Sequence, residues 1–135
     1  PDYGRIVLFL SNLGLVEVVN DFDPLNNYSN PELAIKSKVK DFRFEIIDAN
    51  LLVTAKKNKQ GALFFINGNY AITGNLSLNE AIEKESTNNN PYVNILVVKK
   101  ADKDLPKIKA LLEVLQSAEI KKFINDKYDG SVIPA

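Results

Sequence analysis

Three short polar motifs lie between apolar runs, and each offers a guanidinium or an uncharged amide. They are residues 1–5 (PDYGR), 66–71 (INGNYA) and 91–94 (PYVN). Within them, Arg5, Asn67 and Asn94 lie at predicted strand ends or helix starts, which is where an α/β protein holds a small charged ligand. The three residues predict a binding site for a compound such as an amino acid, and they supply almost no chemistry for catalysis.

Arg5 falls in the first turn of a predicted helix, where free backbone N–H groups and the helix dipole favour an anion. A guanidinium there can hold a carboxylate through two parallel hydrogen bonds. The alternative is a surface arginine, or one that pairs with Asp2. The other arginine, Arg43, lies in an alternating segment and is predicted to face solvent.

The amide and tyrosine candidates each have an ordinary structural alternative. Asn67 could contact a ligand's head group, or it could be a turn asparagine ahead of Gly68. Asn94 interrupts an apolar run, and because an amide that faces a core without a partner costs about 1–3 kcal/mol, it should either bond neighbouring backbone or face a cleft. Tyr70 and Tyr92 could line the same cleft, or they could be half-buried with their hydroxyls in water.

The composition excludes several classes of function. The 135-residue chain has no Cys and no His, so no disulfide, thiolate ligand or ordinary general base is present. We therefore predict no catalytic residue, metal or cofactor. The 17 basic and 17 acidic residues cancel, which gives no electrostatic support for a nucleic-acid partner. Because the sequence opens on Pro1 without a leader, we expect an upstream segment that it does not include.

Apolar periodicity and turn residues predict alternating strands and helices, and hence an α/β protein with a mainly parallel sheet. Asp2 and Gly14 are predicted to bound the first helix, and a break is expected near residues 116–117 of the longest one. The predicted helices cover residues 5–13, 31–40, 51–57, 70–73, 77–84 and 104–127. The predicted strands cover residues 15–19, 42–47, 62–66 and 92–98.

The order of these motifs resembles that of the NlpA-type lipoproteins, the substrate-binding proteins of methionine ABC importers. Residues 66–71 and 91–94 match the family's INGNYA and PYVN motifs. Residues 5–15 resemble its GRAL…LLxxxGLI segment, residues 116–123 its YQSxEVKKF, and the chain ends like the family in VIPA. The likeness runs over nearly the whole chain.

This resemblance implies a type II periplasmic-binding-protein fold, in which two α/β lobes close on an amino acid. Residues 1–95 would form the second, C-terminal ligand-binding lobe. Residues 96–135 would form the return segment and a C-terminal helix that packs on the first lobe or on the chain itself. The first lobe would lie upstream, as would a lipid anchor that holds the protein at the outer side of the cell membrane.

The resemblance also implies a site and its partners. It assigns Arg5 to the ligand carboxylate, and Asn67 and Asn94 to the amino-acid head group; Tyr70 and Asp2 complete the candidate set on local grounds. The implied partners are methionine or a similar amino acid and an ABC permease in the membrane. We expect the 135-residue chain alone to bind ligand weakly and to self-associate, because its hinge face would be apolar and exposed.

Departures from the family pattern leave the ligand and the function open. Asp2 stands where the family usually has Asn, and its carboxylate would either repel the ligand's carboxylate or hold its ammonium group. Residues 20–31 and 51–61 also diverge. Methionine, another amino acid and a short peptide are all candidate ligands. The alternative function is a binding or adhesion module that kept the fold without a transport ligand, and an enzyme is a weak third hypothesis.

Overall fold

The computed structural model describes residues 2–86, 88, 90–128, 130 and 132–134. The first residue of the PDYGR motif and the last residue of the closing VIPA lie outside the described residues. Within these ranges the structure is mixed α/β, as the sequence predicts.

Helix α1 (Tyr3–Asn12) ends at a local stop signal in the sequence. The Gly14 N–H donates to the Ser11 carbonyl at 2.9 Å, and the Leu15 N–H donates to the Leu10 carbonyl at 3.0 Å. This pattern satisfies the last helical carbonyls and needs a left-handed residue, which Gly14 supplies with a φ of +69°. The predicted end of the helix is confirmed. Its buried face consists of Gly4, Val7 and Leu10.

Strands β1 (Val16–Val18) and β2 (Ile35–Lys38) form a two-stranded antiparallel sheet. The pairing runs from Val16 opposite Lys38 to Val18 opposite Ile35, with an irregularity after Glu17. The predicted strand over residues 15–19 is confirmed.

The connection into β2 contains a 3-10 turn, Pro31–Ala34, that begins as predicted. The Asn30 side chain accepts a hydrogen bond from the Glu32 N–H at 2.9 Å, and proline occupies the first position of the turn. The helix predicted over residues 31–40 is nevertheless wrong beyond Ala34. Residues 35–38 pair with β1, so ladder hydrogen bonds replace those that a helix would make.

The described core lies where α1, β1 and the 3-10 turn meet. Val7, Leu10, Val16 and Ala34 are buried there. Aromatic side chains pack around this cluster while remaining partly exposed; they are Phe22, Tyr28, Phe42, Phe44 and Phe65. The core therefore holds α1, and with it the first turn that carries Arg5, against the sheet.

Three predicted strands, residues 42–47, 62–66 and 92–98, make no ladder in the described part of the chain. The parallel sheet predicted from them is wrong for these residues, since the sheet present is antiparallel. An apolar run becomes a strand only when a neighbour supplies backbone partners. These runs instead leave large side chains in solvent, with Ile95 74% and Val97 76% exposed.

Helices α2 (Leu52–Lys57) and α3 (Gly68–Thr73) form a second packed pair. Val53, Ala55 and Ala71 are buried. A Cβ at Gly74, which ends α3, would lie 2.5 Å from Val53 Cγ1, so glycine lets the two elements approach. The helix predicted over residues 77–84 is reduced to a 3-10 turn, Leu78–Glu80, although its capping box of Ser77 and Glu80 is confirmed.

Helices α4 (Pro106–Leu115) and α5 (Ala118–Tyr128) confirm the predicted long helix and its break at residues 116–117. Neither helix buries a residue. In the described structure Ile108, Ile120 and Ile124 are half-buried, and most of the other large apolar side chains of the two helices are exposed. The division of the chain at residue 95 stays a prediction.

Candidate functional site

Asp2 and Asn67 each lie immediately before a helix, and their side chains meet. Asp2 precedes α1 and Asn67 precedes α3, but neither side chain caps its own helix. Instead Asn67 Nδ2 donates to Asp2 Oδ2 at 3.3 Å. Asp2 bounds α1 as predicted, but its side chain makes no capping hydrogen bond and its carboxylate accepts from Asn67 instead. The contact joins the first and second polar motifs.

Arg5 lies in the first turn of α1, and its guanidinium binds the Glu85 carboxylate. Nε donates to Oε1 at 2.7 Å, and Nη2 donates to Oε2 of the same group. The two side chains are 31% and 30% exposed, so the pair is half-buried. Two parallel bonds from one edge of a guanidinium are the geometry with which arginine holds a carboxylate. The predicted alternative, a pair with Asp2, is wrong, because the guanidinium pairs with Glu85 instead.

Tyr92, from the PYVN motif, covers the same guanidinium. Arg5 Cζ lies 5.3 Å from the centre of the tyrosine ring, within the range of a cation–π contact. The Tyr92 hydroxyl donates to the Pro24 carbonyl oxygen. The same carbonyl lies against Gly4, where a Cβ would collide with it. The third polar motif is therefore tied to the start of α1 through Tyr92.

The charges of this cluster shift two pKa values. The hydrogen bond to Glu85 raises the pKa of Arg5, and the negative charges of Glu85 and Asp2 add to this effect while burial opposes it. Burial raises the pKa of the Tyr92 phenol, and the nearby Arg5 charge partly offsets that rise. Arg5 is thus held as a cation by the acidic groups that already surround it.

Asn94 is not brought to this cluster. It is exposed and makes no side-chain hydrogen bond within the described ranges. The predicted bond to neighbouring backbone is not formed within the described residues, and the apolar run around Asn94 is itself exposed, since Val93 and Ile95 both face solvent. Its assignment to a ligand head group stays a prediction.

Tyr70 lies near Asn67 along the chain, but its hydroxyl is not placed at Arg5. Its backbone N–H donates to the Asn67 carbonyl at 3.0 Å as α3 begins. The side chain is half-buried, and within the described residues its hydroxyl makes no hydrogen bond to the Arg5–Glu85 pair. Arg43, in contrast, is exposed as predicted, while Phe42 and Phe44 on either side of it pack toward the core.

Glu85 is the site residue that the sequence did not indicate. It lies in a polar turn with other charged residues, and 80 positions separate it from Arg5. Local spacing gives no sign of such a contact. The sequence signal was an arginine in the first turn of a helix, which favours a nearby anion. That anion could equally have been a ligand or an acidic side chain of the chain itself.

The cluster offers one cation, two carboxylates and one amide. This set can hold a zwitterion, with the guanidinium for its carboxylate and an acidic side chain for its ammonium group. Over the described residues, no group of three or more acidic side chains is arranged to bind a metal ion, and none of the helices is both long and apolar enough to traverse a bilayer.

Comparison with known proteins gives a family and several relatives. The family model of the NlpA lipoproteins matches residues 2–135. The methionine-binding lipoprotein MetQ of Bacillus subtilis is 42% identical over 134 residues, which are 98% of this chain and 48% of that protein. The D-methionine-binding lipoprotein MetQ of Salmonella typhi is 27% identical and is covered to 46%. The chain thus spans about half the length of these relatives.

Solved structures agree with this assignment. A lipoprotein from Bacillus subtilis superposes with a TM-score of 0.79 at 42% identity, covering 99% of this chain and 53% of the other. A pheromone cOB1 precursor/lipoprotein of the YaeC family from Enterococcus faecalis gives a TM-score of 0.71 at 30% identity, covering 99% and 55%. These matches and the mixed α/β architecture confirm the predicted fold class, a part of a periplasmic-binding-protein-like fold. With a family model matched from residue 2 to residue 135, the chain belongs to the NlpA lipoprotein family.

Proposed function

We propose that this chain is part of the substrate-binding component of an amino-acid ABC importer, with methionine as the first candidate ligand. The observation that carries the proposal is the two-bond contact between Arg5 and a carboxylate at the start of α1. An amino acid presents the same group, so Arg5 has the geometry to hold it when the ligand takes the place of Glu85. The names of the relatives, which are methionine-binding and D-methionine-binding lipoproteins, support the choice of ligand.

In this proposal each member of the cluster has a role toward the amino-acid head group. Arg5 holds the α-carboxylate, and Asp2 accepts a hydrogen bond from the ammonium group. Asn67, which already bonds Asp2, orients that carboxylate and offers its own amide oxygen. Asn94 and Tyr70 would join the site when two lobes close around the ligand, as such binding proteins do on capture.

The proposal extends to location and partner. The family name and the relatives' names describe lipoproteins, which supports an anchored protein on the outer side of the membrane that delivers its ligand to an ABC permease. Lipid labelling of the full-length gene product would test the anchor. Stimulation of the ATPase of a reconstituted methionine-class importer by the loaded protein would test the delivery.

Calorimetry tests the site directly. We expect the full-length gene product to bind one or a few members of a panel of L- and D-amino acids. Arg5→Ala should weaken that binding by roughly ten- to a hundredfold, because it removes charge-assisted hydrogen bonds to the carboxylate. The matched control is Arg43→Ala, which removes the other arginine from an exposed position and should leave binding unchanged.

Two results would contradict the proposal. One is the absence of binding by any amino acid or dipeptide. The other is an equal effect of the Arg5 and Arg43 substitutions, which would show that Arg5 does not hold the ligand.

One observation favours the alternative, a binding module that kept the fold without a transport ligand. Arg5 is already paired with Glu85, so its carboxylate-binding edge is occupied from within the chain. Crystals grown with excess L-methionine separate the two functions. An intact Arg5–Glu85 pair and no bound methionine would support the module.

A further inference from the structure

We propose that Glu85 is an internal competitor for the ligand carboxylate at Arg5, and that it thereby lowers the affinity of the site for every carboxylate, so that a ligand needs a second favourable contact to bind tightly. The inference rests on the proposed function, since it takes Arg5 as the group that holds the ligand's carboxylate. Glu85 would leave when the ligand arrives.

The geometry makes the two carboxylates mutually exclusive on one edge of the guanidinium. Nε and Nη2 of Arg5 each donate to a different oxygen of Glu85, so both donors of that edge are used. The Tyr92 ring covers one face of the group. A ligand carboxylate that forms the same two-bond contact must therefore take the place of Glu85.

Departure of Glu85 would disturb little else. It lies in an irregular segment after the turn Leu78–Glu80, and the side chains at positions 81–84, 86 and 88 are exposed. Within the described residues, none of the side chains from position 81 to 86 is fully buried. The two side chains of the pair are about one-third exposed, so solvent, and with it a ligand, can reach both of them.

The neighbouring charges give the exchange its selectivity. Asp2 also acts on Arg5, so a simple acid would bring a further negative charge beside an existing one. An amino acid carries an ammonium group that Asp2 can pair with, and Asn67 holds Asp2 in place for it. A zwitterion therefore gains a contact with Arg5 and a second contact with Asp2, whereas acetate gains only the contact with Arg5.

The test compares Glu85→Gln with the unchanged full-length protein. With the charge of Glu85 removed, we expect L-methionine to bind roughly five- to tenfold more tightly, because the site no longer has to be vacated. L-methioninamide, which lacks the carboxylate, should show no gain. The matched control is Glu83→Gln, which removes an exposed carboxylate two residues away and should leave both affinities unchanged. Glu85→Ala serves as a second variant, and thermal melting checks that each one folds.

Weaker methionine binding in both Glu85 variants would overturn the inference, since Glu85 would then position Arg5 rather than compete with a ligand. Unchanged binding, or an equal gain for methioninamide, would overturn it as well. A separate measurement covers failure of the proposed function. If no amino acid binds, titration with acetate should move the Arg5 Nε–H NMR signal in Glu85→Gln far more than in the unchanged protein, and equal movement in both would reject competition.

Discussion

At the residue scale, the Arg5 charge and the Tyr92 phenol are coupled, because the guanidinium lies over the ring. Burial raises the pKa of Tyr92 and the positive charge lowers it, with burial the larger effect. A raised phenol pKa means that the folded state resists ionisation. This group therefore leaves stability unaffected at neutral pH and reduces it as pH rises through the phenol's ordinary value toward its folded one.

We expect Arg5→Gln to raise the pKa of Tyr92 further, since the favourable charge is lost while Glu85, Asp2 and Asp23 continue to oppose ionisation. Phenolate absorbance measured against pH gives the titration. Tyr92→Phe identifies the transition by deleting it. A downward shift in Arg5→Gln would show that the charge of Arg5 does not reach the phenol.

The sequence could predict part of this cluster and not the rest. Arg5 in a first helical turn and Asn67 after an apolar run were predictable, because helix ends and turns are encoded by nearby residues. The Asp2–Asn67 and Arg5–Glu85 contacts were not, because they span 65 and 80 residues and depend on how the elements pack. Asn94 shows that a local pattern can also mislead, since the apolar run around it, which predicted a buried strand, is exposed.

At the element scale, the predictions that succeeded rest on local hydrogen bonding. Gly14, the Asn30 cap and the break at residues 116–117 all act within one helical turn. The main wrong predictions concern strands. Residues 35–38 were predicted as helix but form a strand that pairs with β1. Three apolar runs predicted as strands have no partner strand in the described chain. Pairing is decided by distant segments, which periodicity does not identify.

The contact between α2 and the end of α3 gives a prediction at this scale. A Cβ at Gly74 would lie 2.5 Å from Val53 Cγ1 and 2.8 Å from its Cγ2, and both methyls belong to a buried side chain. Gly74→Ala should therefore lower the free energy of unfolding by about 1–3 kcal/mol through overpacking. Urea denaturation measures the change.

The matched test repeats the substitution in a Val53→Ala background. Removing the two methyl groups leaves room for the new Cβ, so Gly74→Ala should then cost clearly less than in the unchanged chain. The same loss in both backgrounds would mean that the effect comes from the backbone of Gly74 and not from its contact with Val53.

At the scale of the whole molecule, the described core is small and the apolar surface is large. The buried cluster around α1 and the sheet involves residues before position 66, whereas α4 and α5 bury nothing. The apolar period of these helices is typical of a buried face, but in the described structure neither helix buries a residue. Periodicity identifies which side chains share a face and not what covers it.

This exposure predicts that the 135-residue chain self-associates. Leu111 and Leu115 are 43% and 46% exposed, and their spacing of four places them on one side of α4. We expect sedimentation velocity to show a mass that rises with concentration. Leu111→Lys combined with Leu115→Lys should keep the chain monomeric, because two charges would have to be buried on association.

The control makes the same leucine-to-lysine change at a position outside α4. Leu25→Lys changes a leucine that is 64% exposed in the loop between β1 and β2 and should leave association as it was. If it disrupts association equally, any added charge suffices and α4 is not the contact. If the unchanged chain stays monomeric at every concentration, exposed apolar side chains on α4 and α5 are too dispersed to bind a second copy, and the surface requires a covering segment of different shape.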